Sequence, residues 1–159
     1  MSFSSLFSIF KKPTKFVLFT DPFGNYSLLI PDSWKFDSDV IVDDGKYSIC
    51  FDSPTEDARL VVSLDLSFSP KKDFETYLIK KLSDPSSGSI GFISKGIFKD
   101  LKTTEKTFSF NKNGNFSGKV IAFKKGEIIY ELTVHSKDSN SHSLSPIFAT
   151  ILSSIKFLR

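Results

Sequence analysis

The sequence predicts an α+β protein with a mainly antiparallel sheet of about six to seven strands flanked by helices. Three observations support this class. Apolar and polar residues alternate over residues 60–68, the pattern of a strand with one dry face. Apolar residues recur at helical spacing in two places, residues 74–82 and 148–155. Turn sequences at Asn113-Gly114 and Lys125-Gly126 join three further strands into a meander, Thr104–Phe110, Phe116–Lys124 and Glu127–His135.

The first third of the chain predicts a hairpin followed by a separate strand. Residues 15–19 and 26–30 are typical of strands, and residues 21–25 between them form a turn that contains Pro and Gly. Pro31 ends the second strand. The next strand is predicted over residues 47–51, after an acidic turn that contains Gly.

Two helices are predicted from their start signals and apolar stripes. Ser69-Pro70 supplies an N-cap and a first-position proline, and Ser145-Pro146 repeats that signal after a polar loop over residues 137–143. Residues 90–98 remain open between a strand and irregular structure. The two stripes are Phe74, Leu78 and Leu82 in the first helix, and Phe148, Ile151, Leu152 and Ile155 in the second.

Residues 1–13 predict an amphipathic segment ahead of a single domain over residues 14–159. A helix of this length is marginal in water, so something must cover its apolar face. Three alternatives are open: the segment docks on the domain, it binds a membrane surface or a partner, or it stays disordered. Its docking or membrane face consists of Phe3, Leu6, Phe7 and Phe10, followed by Lys11 and Lys12.

Composition indicates the class of protein and its compartment. Cys50 is the single cysteine, which excludes an intramolecular disulfide and predicts no disulfide-linked partner. The sequence shows no apolar run of membrane-spanning length and no signal-peptide pattern at its start, so we expect a cytoplasmic protein. The net charge of +3 argues against nucleic acid as the main partner.

The residues that could carry chemistry form no strong motif. His135, Asp138 and His142 could form an open metal site, but their spacing over a strand end and a flexible loop is more typical of solvent-exposed histidines. A small metal protein or hydrolase that uses His135 and His142 stays an alternative. No Gly-x-Ser-x-Gly elbow and no phosphate loop is present. We therefore expect no catalytic residue, no metal and no cofactor.

A partner-binding surface is predicted near the single Trp. One interpretation makes Trp34 an aromatic lip on a groove with an acidic rim. The alternative makes it an anchor in the core after the turn at Pro31. The predicted contact residues are Trp34, Asp37, Asp39, Asp43 and Asp44.

The order of these elements resembles that of the PsbP-like superfamily over roughly residues 16–157. The resemblance begins with the pattern Tyr26-Ser-x-x-x-Pro31-x-x-Trp34. It continues with the alternating strand, the helix that contains Asp73 and Glu75, and the strand that runs into Gly118-Lys-Val-Ile-Ala122. The strand Ile-Ile-Tyr-Glu-Leu-Thr133 and a terminal helix ending Ser-Ser-Ile-Lys-Phe157 complete it.

The resemblance implies an α-β-α sandwich and a binding role. Members of the superfamily include an extrinsic subunit of the photosynthetic oxygen-evolving complex, a Ran-binding nuclear-import factor, and prokaryotic proteins of unknown role. We therefore expect a non-enzymatic protein-binding module, adaptor or chaperone-like, with an unidentified protein partner. The alternative is a peripheral membrane protein anchored by the N-terminal segment.

Overall fold

A computed structural model of the chain describes residues 13–37, 41–43, 45–67, 73–82 and 92–159. Within these ranges the chain forms strands, two α-helices and one 3₁₀ turn, η1 (Asp138–Asn140). The helices are α1 (Phe74–Leu82) and α2 (Ser141–Ser154). The strands are β1 (Phe16–Thr20), β2 (Tyr26–Pro31), β3 (Lys35–Phe36), β4 (Ile41–Asp43), β5 (Lys46–Asp52), β6 (Ala58–Asp65), β7 (Ile93–Phe98), β8 (Leu101–Asn111), β9 (Asn115–Lys125), β10 (Ile128–Lys137) and β11 (Lys156–Phe157).

The strands form two antiparallel sheets. The larger sheet has the order β3-β5-β6-β10-β9-β8-β7, and β4 also pairs with β5. The smaller sheet has the order β1-β2-β11. The predicted α+β class and the mainly antiparallel pairing are confirmed, and so are the first hairpin and the β8-β9-β10 meander.

By its internal contacts the chain divides into two compact units, and the first contains residues 13–33 and 147–159 of the described part. Its β1–β2 turn is held by the buried Asp21, whose carboxylate accepts the N–H groups of Phe23 (3.2 Å) and Asn25 (3.0 Å). The chain end joins this sheet, because the Leu158 N–H donates to the Asn25 carbonyl at 2.9 Å. The hydroxyl of Ser154 accepts the Leu29 N–H at 2.8 Å.

The second unit, residues 34–146, contains the larger sheet. One face of this sheet is apolar and buried, since alternate residues of β5, β6, β9 and β10 project from it. The buried side chains on this face include Ile49, Phe51, Leu60, Val62, Leu64, Ile121, Phe123, Tyr130 and Leu132. The alternation over residues 60–68 thus indicates the dry face correctly as far as Leu64.

The opposite face of the larger sheet carries polar and aromatic residues, and we call it the open face. The helix α1 covers one end of it, where Leu78 packs against Ala122 and Ile129. Tyr77 and Val120 border that cluster. The other end of the open face lies beyond α1, towards the last residues of β10, and it contains the site described below.

Neither helix begins at the predicted residue: α1 begins later than predicted and α2 begins earlier. Asp73 directly precedes α1, where its carbonyl accepts the Tyr77 N–H at 3.0 Å and its carboxylate accepts the Thr76 hydroxyl at 2.7 Å. The predicted cap at Ser69 lies outside the described residues. Helix α2 begins at Ser141, directly after η1, so the predicted polar loop over residues 137–143 is wrong in its second half. Pro146 lies inside α2, where it removes the hydrogen bond to the carbonyl four residues earlier.

Several predictions lie outside the described residues, among them the N-terminal segment with Phe3, Leu6, Phe7, Phe10, Lys11 and Lys12. Residues 93–98, which the sequence left open, form β7. The short strands β3, β4 and β11 were missed. Neither described helix has the length and apolar character that crossing a bilayer requires.

Candidate functional site

One row of side chains crosses five strands of the open face near the end of β10. Residues that lie directly opposite each other in an antiparallel pair share a face, so the pairing register defines the row. Its members are, from β5 to β8, Asp52, Arg59, His135, Gly118 and Phe108. The sheet therefore brings together residues that are far apart in the sequence.

Gly118 lets the side chains of Phe108 and His135 approach each other across β9. A Cβ atom at Gly118 would lie 2.5 Å from Cζ of Phe108 and 2.7 Å from Cβ of His135, and closer still to the carbonyl oxygen of Val134. Real Cβ atoms do not approach other atoms so closely. Only glycine therefore lets the Phe108 ring lie over β9 beside the imidazole.

Three phenylalanines surround the His135 ring. Phe110 and Phe116 face each other across β8 and β9 and stack with centroids 5.0 Å apart and 6° between planes. Phe108 stacks on Phe110 at 6.2 Å. The imidazole meets all three rings edge-on, with centroids 5.3–6.4 Å away. We call these three residues the phenylalanine wall.

The surroundings of His135 favour the neutral form of its ring. Its Nδ1 atom is buried and has no hydrogen-bond partner among the described residues. Burial lowers the pKa of His135, the positive charge of Arg59 lowers it further, and Asp52 opposes both. A proton on Nδ1 would have no acceptor, so the neutral ring carries its proton on Nε2 at lowest cost.

Arg59 and Asp52 form the charged end of the row. The Arg59 Nε donates to Asp52 Oδ1 at 2.6 Å, and Nη2 lies 3.5 Å from Oδ2. This hydrogen bond raises the pKa of Arg59. Both side chains are more than 40% exposed, so the pair orients the guanidinium more than it stabilises the fold.

Asp52, Arg59 and His135 of the row, together with Phe110 and Phe116 of the phenylalanine wall, border an open cleft of about 650 Å³. This volume lies within the range of ligand sites in proteins. Asp57 and Lys137 form part of its rim, with Nζ and Oδ2 4.0 Å apart. The loop that carries Asp57 is fixed because Nδ2 of Asn140 donates to the Glu56 carbonyl at 2.9 Å. The lining residues used below are Asp52, Arg59, Phe110, Lys112, Phe116 and Lys137, with His135 at the centre.

The predicted partner-binding residues lie elsewhere. Trp34 is only 6% exposed, which favours the core interpretation of this residue and leaves little of the indole for a partner. Asp37 is exposed directly after β3, and its N–H donates to the Cys50 carbonyl at 2.9 Å. Asp43 ends β4 opposite Lys46, while Asp39 and Asp44 lie outside the described residues. The predicted acidic surface therefore stays a prediction.

The structure places the predicted metal residues in different surroundings. His135 lies in the cleft, whereas Asp138 and His142 are exposed on η1 and α2 and do not line it. Among the described residues no group of three or more His, Cys, Asp or Glu side chains is arranged to hold a metal ion. Burial raises the pKa of Cys50, which keeps this thiol protonated and weakly nucleophilic.

Sequence reasoning missed most of the cleft. It noted His135 and predicted the strands that contain Phe110 and Phe116, but it did not connect them. The turn at Asn113-Gly114 contained a usable signal, because a hairpin closed there places Phe110 opposite Phe116. No local signal pairs Arg59 with His135.

Comparison with known proteins defines the fold. The chain matches no protein-family model and no curated protein. It is similar to the solved structure of cyanobacterial PsbP (CyanoP) from Synechocystis sp. PCC 6803, with a TM-score of 0.62 and 13% identity over 92% of this chain and 95% of that chain. The Ran-binding protein Mog1p of Saccharomyces cerevisiae gives a TM-score of 0.61 and 7% identity over 92% and 97% of the two chains.

A protein from Bacteroides thetaiotaomicron gives a TM-score of 0.61 and 14% identity over 89% of this chain, which spans 48% of that longer protein. Identities this low establish the fold alone. The chain has the PsbP-like fold, as the resemblance in its sequence implies.

Proposed function

We propose that this chain is a non-enzymatic protein-binding module, adaptor or chaperone-like, that holds a segment of its partner in the cleft around His135. The cleft itself carries the proposal. It combines a flat aromatic wall with oriented charges in an open depression, and aromatic and Arg side chains dominate the energetics of protein interfaces.

The chemistry of the cleft favours binding over catalysis. Covalent catalysis by a Ser, Thr or Cys needs this nucleophile within hydrogen-bond reach of its base. His135 has phenylalanine edges around its ring, and no hydroxyl or thiol of the described residues bonds to it. Four of the five charged side chains in the lining are engaged in the Arg59–Asp52 and Lys137–Asp57 pairs. These groups are arranged to recognise a surface.

The structural neighbours support a binding role only as a class. Mog1p is a Ran-binding protein, so a fold of this kind carries protein recognition in at least one case. Fold similarity does not choose the partner or the surface. We propose the cytoplasm as the place of action, and the single Cys50 accords with a reducing compartment.

The test is quantitative affinity capture with the full chain as bait in lysate of the source organism, read by mass spectrometry. We compare wild type with Arg59→Ala, with an acidic-surface variant (Asp37, Asp39, Asp43 and Asp44→Ala), and with Lys125→Ala as a matched surface control. A captured protein counts only when it binds the purified wild-type chain directly. Loss of that protein with Arg59→Ala, but with neither other variant, supports the proposal.

Two results would contradict it. Capture that depends on the acidic residues and ignores Arg59→Ala would transfer the function to the acidic surface. Absence of any directly binding protein would remove the support for a protein partner.

A further inference from the structure

We infer that the cleft recognises an acidic side chain followed by an aromatic residue within an extended segment of the partner. This inference rests on the proposed function and names the chemistry of the segment. Three features of the cleft carry it: the balance of charge, the donor at its centre and the phenylalanine wall.

The charge of the cleft matches one carboxylate. Its described lining contains three cations, Arg59, Lys112 and Lys137, and two carboxylates, Asp52 and Asp57. Asp52 and Asp57 neutralise two of the cations. Lys112 has no ion pair among the described residues, so one positive charge remains. A single carboxylate balances this excess, whereas a doubly charged phosphate would leave a net negative charge in the cleft.

The hydrogen-bond donors of the cleft also favour a carboxylate ligand. Asp52 occupies Nε and Nη2 of Arg59, which leaves further N–H groups of the guanidinium for a ligand. Because Nδ1 of His135 is sealed and unpartnered, Nε2 is the ring nitrogen that can donate to a ligand. A carboxylate accepts such bonds with both oxygens, and hydrogen bonds to a charged acceptor are the stronger ones.

The phenylalanine wall accounts for the aromatic residue. Phe110 and Phe116 are half-buried, so part of each stacked ring faces the cleft. A flat side chain next to the carboxylate can stack on or meet the edge of these rings. The cleft is open rather than a closed pocket, and we therefore assign the carboxylate to an internal Asp or Glu of a segment that passes through.

The test uses the full-length, ¹⁵N-labelled chain and short peptides with blocked ends. The probe is Gly-Ser-Gly-Glu-Phe-Gly-Ser-Gly, acetylated and amidated. Three comparison peptides each carry one substitution: Glu to Gln, Glu to Lys, or Phe to Ala. A fourth peptide lacks the Glu and ends at the Phe with a free C-terminal carboxyl group. Backbone amide shifts report both the affinity and the place of binding, even for weak complexes.

We expect the Glu-Phe peptide to shift the amides of Lys112, Gly118 and His135. Binding weakens roughly tenfold on change of Glu to Gln or of Phe to Ala. Lys112→Ala lies on an exposed turn and should fold normally; it weakens the Glu-Phe peptide and leaves the Gln peptide unchanged. Lys125→Ala serves as the control, since it lies at the opposite end of β9.

Equal binding of the Gln or Lys peptide, stronger binding of the free-carboxyl peptide, or shifts confined to other surfaces would overturn the inference. Failure here is separable from failure of the proposed function. Suppose that a purified partner no longer binds the Arg59→Ala variant, but that the segment it places in the cleft contains no acidic residue. This result refutes only the inference. A partner that ignores Arg59→Ala refutes the cleft as the binding site.

Discussion

Replacing Gly118 by Ala tests the packing that creates the cleft. The added methyl would lie 2.5 Å from Cζ of Phe108 and 2.7 Å from Cβ of His135, about 1 Å inside ordinary contact, and closer still to a carbonyl oxygen. The phenylalanine ring can rotate away, but the Val134 carbonyl belongs to the strand next to β9 and cannot move without disturbing the pairing. Overpacking of this kind costs about 1–3 kcal/mol, and the fixed carbonyl places Gly118→Ala near about 2–3 kcal/mol.

Thermal unfolding followed by circular dichroism measures the effect. For a chain of this size each kcal/mol lowers Tm by about 2–4 °C, so Gly118→Ala should lower it by roughly 5–10 °C. The control is Gly126→Ala, whose Cβ would meet nothing within 4 Å but whose φ is +63°. The left-handed conformation destabilises a non-glycine residue in the folded state by about 1–2 kcal/mol. Replacing Gly by Ala also reduces the conformational entropy of the unfolded chain, which stabilises the folded state by about 0.4–1 kcal/mol.

The control therefore separates steric overlap from backbone preference. We expect Gly126→Ala to lose at most about 1.6 kcal/mol, which is less than the loss of about 2–3 kcal/mol expected for Gly118→Ala. Equal Tm values for the two variants, or a Gly118→Ala variant as stable as wild type, would refute the described contact among Phe108, His135 and β9.

Three further predictions concern pH, a turn and a loop. Burial lowers the pKa of His135 below its unfolded value of about 6.5, so the unfolded state binds the proton more readily. Stability is therefore lost as pH falls below about 6.5 and through the lower pKa of the folded state. His135→Gln should flatten this dependence in urea unfolding and His142→Gln should not; parallel curves for wild type and His135→Gln would contradict it. Asp100 has φ +64° in the two-residue turn between β7 and β8, so Asp100→Gly should raise Tm by roughly 2–3 °C, and a lower Tm would speak against this turn. Asn140→Ala removes the bond to the Glu56 carbonyl and should cost about 1 kcal/mol in urea unfolding, while an unchanged midpoint would mean that the loop is not held there.

Local signals in the sequence were sufficient for the meander. The turns at Asn113-Gly114 and Lys125-Gly126 fix the registers of β8, β9 and β10 because the two strands of each hairpin are close in the chain. The alternation in β6 indicates its dry face for the same reason. These features define the class of the fold and half of the cleft, the phenylalanine wall.

The other half of the cleft depends on pairing between distant segments. Arg59 reaches His135 only because β6 pairs with β10, and no turn connects those strands. The strands β3 and β11 have two residues each, too few for a periodic pattern. Helix α2 begins at Ser141 because η1 leads directly into it, and the Ser-Pro signal at Ser145 was the stronger sequence feature in the wrong place.

The row from Asp52 to Phe108 forms only when separate parts of the larger sheet have folded and paired. Its members come from the β5–β6 hairpin and from the β8–β10 meander, so neither of these two parts alone contains the complete row. A partner bound in the cleft would contact both β6 and β10 and so stabilise the pairing of these two strands. Binding free energy is then added to the stability of that pairing, and amide exchange in β6 slows even where the partner makes no contact.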